Sequence, residues 1–136
     1  MPTSTVTYLG QLRTEAQHIQ SGTVINTDAP VDNKGKGEKF SPTDLVATAL
    51  ASCAMTLMGI AADTHAIPYT DVNASVEKIM AANPRRIDAI KIVFTIGDKL
   101  DDKQKKILEN AAETCPVAKS LSHDLKQELN FVYTAD

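Results

Sequence analysis

The chain has 136 residues, 43% hydrophobic and 23% charged, which suits one globular core and excludes a disordered or fibrous chain. Its 14 basic and 17 acidic side chains leave a net charge of −3, which argues against a dedicated nucleic-acid binder. Trp is absent and aromatics make up 4%, so the expected core is aliphatic, and 2 cysteines are too few for a disulfide scaffold.

The first ten residues (MPTSTVTYLG) carry no basic segment and no long apolar run, so no secretory signal is read and a cytoplasmic location is expected. Residues 3–9, 12–20 and 23–27 alternate or are β-branched, with a Ser21-Gly22 turn signal between the last two. They predict a meander of three antiparallel strands. Residues 28–39 (DAPVDNKGKGEK) are too polar to pack and predict an exposed, mobile connection.

Ser41-Pro42-Thr43-Asp44 then starts a helix: Ser41 suits the N-cap, Pro42 the first helical position, and the Asp44 carboxylate can reach back to the cap N–H. The helix is expected to run to about Asp63. Residues 45–62 hold no charge over 18 positions, the length of a membrane span. Yet 11 of the 18 are Ala, Thr, Ser, Gly or Cys, and Asp44 and Asp63 flank them in place of basic or aromatic anchors. A buried central helix, apolar nearly all round, is therefore expected, and no membrane association.

Residues 72–81 and 87–96 predict two long strands joined by Asn83-Pro84-Arg85-Arg86, with Ile90, Ile92, Phe94 and Ile96 on one face. Asp101 caps an amphipathic helix with Ile107, Leu108, Ala111 and Ala112 as its apolar stripe. Cys115-Pro116 breaks that helix and begins a short one through Leu121, and residues 127–134 close the chain as a strand. The order β-β-β-α-β-β-α-α-β defines an α+β domain spanning residues 1–136, with a long buried helix packed on antiparallel sheet.

Cys53 lies inside the apolar helix, where the plain reading is a buried thiol acting as a small hydrophobe. Cys115 stands where an N-cap belongs. There free backbone N–H groups and the positive helix end are expected to favour its thiolate, the alternative being an inert thiol at a helix break. The two are 62 residues apart, so only tertiary structure can join them, and the spacing fits neither a CxxC pair nor a zinc cluster. His18, His65 and His123 lack the paired local spacing of zinc ligands, and no metal is expected.

The phrases Phe40-Ser41-Pro42-Thr43-Asp44-Leu45, Ala51-Ser52-Cys53 and Thr114-Cys115-Pro116-Val117-Ala118 resemble the OsmC/Ohr family of organic hydroperoxide reductases. The element order is similar to that family along nearly the whole chain. The resemblance implies a two-cysteine peroxidase acting on organic, including fatty-acid, hydroperoxides. Cys53 would attack the peroxide and become a sulfenic acid, and Cys115 would condense with it to a disulfide. A dithiol or lipoyl-type reductant would reopen the disulfide, with no cofactor. It also implies an intertwined homodimer, which would shield so apolar a helix.

In the family an Arg from the N-terminal strands supplies the cation for the thiolate, and a Glu after the motif Pro orients it. Arg13, the only Arg before residue 85, is the candidate cation, its plain alternative being a solvated strand charge. The chain has Thr43 at the Glu position, ten residues before Cys53, with Asp44 next. Asp44 either takes over the role or only caps the helix. The departure suggests the broader OsmC-like branch, and it keeps open a different function: a small hydrophobic ligand-binding or redox-sensing protein of the same fold, without efficient turnover.

Overall fold

The computed structural model describes residues 1–136. Its internal contacts group into two units, residues 1–46 and 47–136.

In the first unit, strands β1 (Ser4–Gly10), β2 (Arg13–His18) and β3 (Val24–Asp28) form the expected antiparallel sheet in the order β1-β2-β3. Gln11 and Leu12 both take positive φ in the tight β1–β2 turn, a backbone whose twist matches the strands it joins. The register pairs Arg13 with Asp28 and Thr14 with Thr27.

Residues 28–39 are mostly exposed, as their composition predicts, but they also carry local backbone structure. A single 3-10 turn occupies Val31–Asn33. The Gly35 N–H donates to the Pro30 carbonyl and the Gly37 N–H to the Ala29 carbonyl. At Gly35 the two backbone stretches approach so closely that a Cβ would lie 1.8 Å from the Ala29 oxygen. Polar composition missed this fold because backbone bonds and a glycine contact, rather than apolar burial, hold it.

Helix α1 (Pro42–His65) starts at the expected motif and runs two residues beyond the expected end. The Asp44 N–H donates to Ser41 Oγ at 3.0 Å, and Asp44 Oδ2 accepts the Ser41 N–H at 3.0 Å. Both bonds of a capping box are made.

The second unit is built around the length of α1 from Ala47 onward. Ala47, Leu50, Ala51, Ala54, Met58 and Ala62 are its buried positions, spaced three and four apart. They pack with Ile90, Ile92, Phe94 and Ile96 in one core cluster. The alanines let the helix lie close to the sheet, and the larger side chains fill the gaps. The expectation of burial nearly all round is corrected here: Ile60 is 56% exposed. A long run of small residues has no polar face to betray which side turns outward. By length and composition α1 is long and apolar enough to cross a membrane.

Strands β4 (Val72–Ala81), β5 (Arg86–Ile96) and β6 (Lys126–Tyr133) form the second sheet in the order β4-β5-β6. The β4–β5 pair is antiparallel and the β5–β6 pair parallel, so this sheet is mixed rather than antiparallel. The reason is the connection, which runs through α2 (Asp102–Glu113) and α3 (Pro116–Ser120) and is long enough for a crossover. Phe94 and Phe131 face each other across that register and stack with ring centroids 5.2 Å apart. Asp101 closes a capping box on α2 with Gln104.

Candidate active site

Cys53 projects from the middle of α1 and is half-buried against the core cluster, so it is not the sealed structural thiol of the plain reading. Cys115 is fully buried and is the N-cap of α3, with extended backbone angles and Pro116 at the first helical position. This is the cap that the Cys-Pro dipeptide predicts. Its sulfur accepts the Ala118 N–H at 3.3 Å.

The two thiols, so distant in sequence, come close enough within the second unit for the Cys53 side chain to act on the protonation of Cys115. Both are free. Burial pushes the Cys115 thiol up, and the neighbouring Cys53 sulfur pushes it in the same direction, whereas the Ala118 and Val117 N–H groups pull it down. The net direction is upward. The expectation that the cap favours a Cys115 thiolate is thus overturned: desolvation of a fully enclosed sulfur outweighs the backbone donors of a short helix. The pair is asymmetric, with one half-exposed sulfur and one enclosed, protonated thiol.

Along α1, a groove of about 500 Å³ is lined by Ser52, Met55, Thr56, Gly59, Ile60, Asp63 and Tyr69, a set that does not include Cys53. The Tyr69 hydroxyl donates to the Met55 carbonyl at 2.7 Å, and burial raises its pKa to about 12, so it stays a neutral donor. The groove wall is held by the helix backbone itself.

Within the first unit, Arg13 is anchored by two carboxylates. Its Nη2 donates to Asp28 Oδ2 at 3.3 Å and also to Glu38 Oε1. Asp28 has no exposed surface, and its Oδ2 also accepts the Glu38 N–H at 3.0 Å. That N–H, with the Arg13 guanidinium, holds the Asp28 carboxyl below its usual range against the opposing effect of burial. Arg13 is therefore not a solvated strand charge.

A family model for OsmC-like proteins matches residues 35–130. The chain belongs to the OsmC-like family. Among solved structures, a Psychrobacter arcticus 273-4 protein, provisionally named for osmotic stress induction and the detoxification response, is 54% identical over 96% of each chain, with a TM-score of 0.93. An organic hydroperoxide resistance protein, OsmC, from Legionella pneumophila is 17% identical over 97% of this chain and 98% of its own, with a TM-score of 0.77. An OsmC-like protein from Mycoplasma pneumoniae is 17% identical over 96% and 94%, with a TM-score of 0.80. These last two share the fold. No curated protein matches the chain.

The residues that the OsmC-like resemblance singles out are distributed as follows. Cys53 and Cys115 come together, Asp44 closes the α1 cap, and Arg13 is anchored on β2. Asp28 and Glu38 were not singled out in the sequence. A signal for Asp28 was present: it ends a β-branched run and so falls opposite Arg13 in a three-strand meander. Glu38 carried none, because its place depends on the folded loop.

Proposed function

We propose that this OsmC-like protein is a two-cysteine peroxidase that reduces organic hydroperoxides to alcohols. The observation that carries the reading is the neighbouring pair of Cys53 and Cys115, one thiol half-buried and the other enclosed. The Cys53 thiolate attacks the terminal peroxide oxygen. An S–O bond forms as the O–O bond breaks, the sulfur is oxidised to a sulfenic acid, and the alkoxide takes a proton from water. Cys115 then displaces the sulfenic hydroxyl as water and forms the disulfide. A dithiol, of which a lipoyl group is one form, returns both thiols by exchange and leaves as its own disulfide. A cytoplasmic location, where thiols are kept reduced, belongs to the same proposal.

From the resemblance, Arg13 is assigned as the cation that favours the thiolate and Asp44 as its orienting acid. The proposed assembly is a homodimer. Exposed apolar side chains in each unit support it: Val6, Tyr8, Leu9 and Ile25 in the first, and Ile60 in the second. The groove along α1 supports a second reading, a carrier of small hydrophobic ligands. Consumption of cumene hydroperoxide with a dithiol reductant separates the two. Turnover that vanishes in Cys53→Ser supports the peroxidase, and a rate unchanged by that substitution excludes it.

A further inference from the structure

Along β6 the inward positions are Gln127, Leu129, Phe131 and Tyr133. The last three pack against the core cluster, so an apolar residue would suit the first as well. A glutamine stands there instead, half-buried, its backbone held in register beside Ile90 of β5. Its amide has a defined partner: Nε2 donates to the Ala118 carbonyl at 3.0 Å. That carbonyl lies in the last turn of α3, where the helix itself offers no donor. Ala118 is also the residue whose N–H reaches the Cys115 sulfur at 3.3 Å. Its carbonyl is thus tied to the second sheet and its N–H to the thiol. A helix of five residues is too short to hold its own geometry, so contacts from other elements must set it. Val117 and Ala118 pack on the core cluster, and the Gln127 amide adds a directional bond.

We propose that Gln127 is a positioning residue for the step in which Cys115 closes the disulfide, its amide latching α3 so that the Ala118 N–H stays on the Cys115 sulfur. This deepens the peroxidase reading and rests on it for the part Cys115 plays in the cycle. In that step the Cys115 S–H gives up its proton and its sulfur bonds to the sulfenic sulfur of Cys53. The S–O bond breaks, and the hydroxyl leaves with the proton as water. Negative charge gathers on an enclosed sulfur as the proton departs, and a fixed N–H donor supports it there. A donor carried on a fraying turn supports it less. The polar residue on the inward face of β6 is thereby accounted for: it holds the support of the thiol, not the thiol itself.

The test replaces the hydroperoxide with one equivalent of dithiobis-nitrobenzoate and follows the coloured thionitrobenzoate that it releases. Cys53, the less enclosed thiol, releases the first thionitrobenzoate and becomes a mixed disulfide, and attack by Cys115 releases the second. Gln127→Met keeps the length of the side chain and loses the donor. At pH 7 its second phase should be roughly threefold to tenfold slower, the size of one lost hydrogen bond, with the first phase unchanged. The pH profile of that second phase should move to higher pH, because the departing proton loses its fixed N–H support. Gln127→Lys, which restores an N–H donor on a long stem, should recover most of the rate. Gln127→Leu gives the same comparison if the Met variant is unfolded at assay temperature. Equal second phases in the wild type and a folded donorless variant would overturn the proposal, as would equal slowing of both phases. If the second-phase ratios hold but hydroperoxide leaves wild-type Cys53 unmodified, the latch stands and the peroxidase reading fails.

Discussion

Asp28 is a charged carboxylate with no exposed surface, and it keeps its charge because a backbone N–H and a guanidinium converge on one of its oxygens. Its folded pKa lies below the unfolded value, so its contribution to stability is full above about pH 4, the usual carboxylate pKa, and is lost as pH falls through the folded value. Thermal melts between pH 7 and pH 2 should show that loss on the acid side. Asp28→Asn should melt lower at pH 7 and show a shallower acid decline. An unchanged pH profile in that variant would remove Asp28 from the account. Enclosure works upward on both groups, but at Cys115 it prevails over the donors and raises the pKa of a thiol whose cap position alone predicts a lowered one. The cap was legible in Cys115-Pro116, but the balance was not, because burial depends on side chains from elements far away in the chain. In Cys53→Ser, Cys115 should react with iodoacetamide at least tenfold more slowly than Cys53 does in Cys115→Ser. Comparable rates would contradict the asymmetry of the pair.

Helix α1 owes its start to Ser41 and Asp44, whose mutual bonds satisfy two of its free N-terminal donors. Ser41→Ala should cost about 1 kcal/mol in urea melts. Asp44→Asn separates two roles for that carboxylate. A pure cap loses a comparable amount of stability and keeps its kcat/KM, whereas an orienting acid loses kcat/KM as well. The core that α1 shares with β5 is more sensitive: Phe94, fully buried and stacked on Phe131, should lose about 3–5 kcal/mol on replacement by Ala. A loss below 1 kcal/mol would show that the stack is not part of the core. Element order and most boundaries were legible because turns, caps and alternation are local signals. The strand directions of the second sheet were not read correctly. The signal existed in the two helices between β5 and β6, a length that suits a parallel crossover. The fold of residues 28–39 had no comparable signal, because its holding contacts are backbone bonds to Ala29 and Pro30.

At the scale of the molecule, a chain of 14.6 kDa leaves large apolar side chains exposed, Val6 and Tyr8 at 65% each and Ile60 at 56%. Such surface calls for a partner, and a second copy is the proposed one. Light scattering on the eluting protein should return twice the chain mass, and a single-chain mass at micromolar concentration would contradict it. The OsmC-like phrases pointed to the sulfur pair because they mark Cys53 and Cys115 together. They gave no warning that Arg13 would be anchored by Asp28 and Glu38, which lie outside them. The account as a whole depends on the two sulfurs exchanging electrons with a hydroperoxide. The most direct test is to add one equivalent of cumene hydroperoxide to the fully reduced protein, then count free thiols and map peptides without reductant. The account predicts the loss of two thiols per chain for each hydroperoxide consumed, with the Cys53 and Cys115 peptides of one chain joined. Thiols that persist, or sulfurs joined only between different chains, would contradict it.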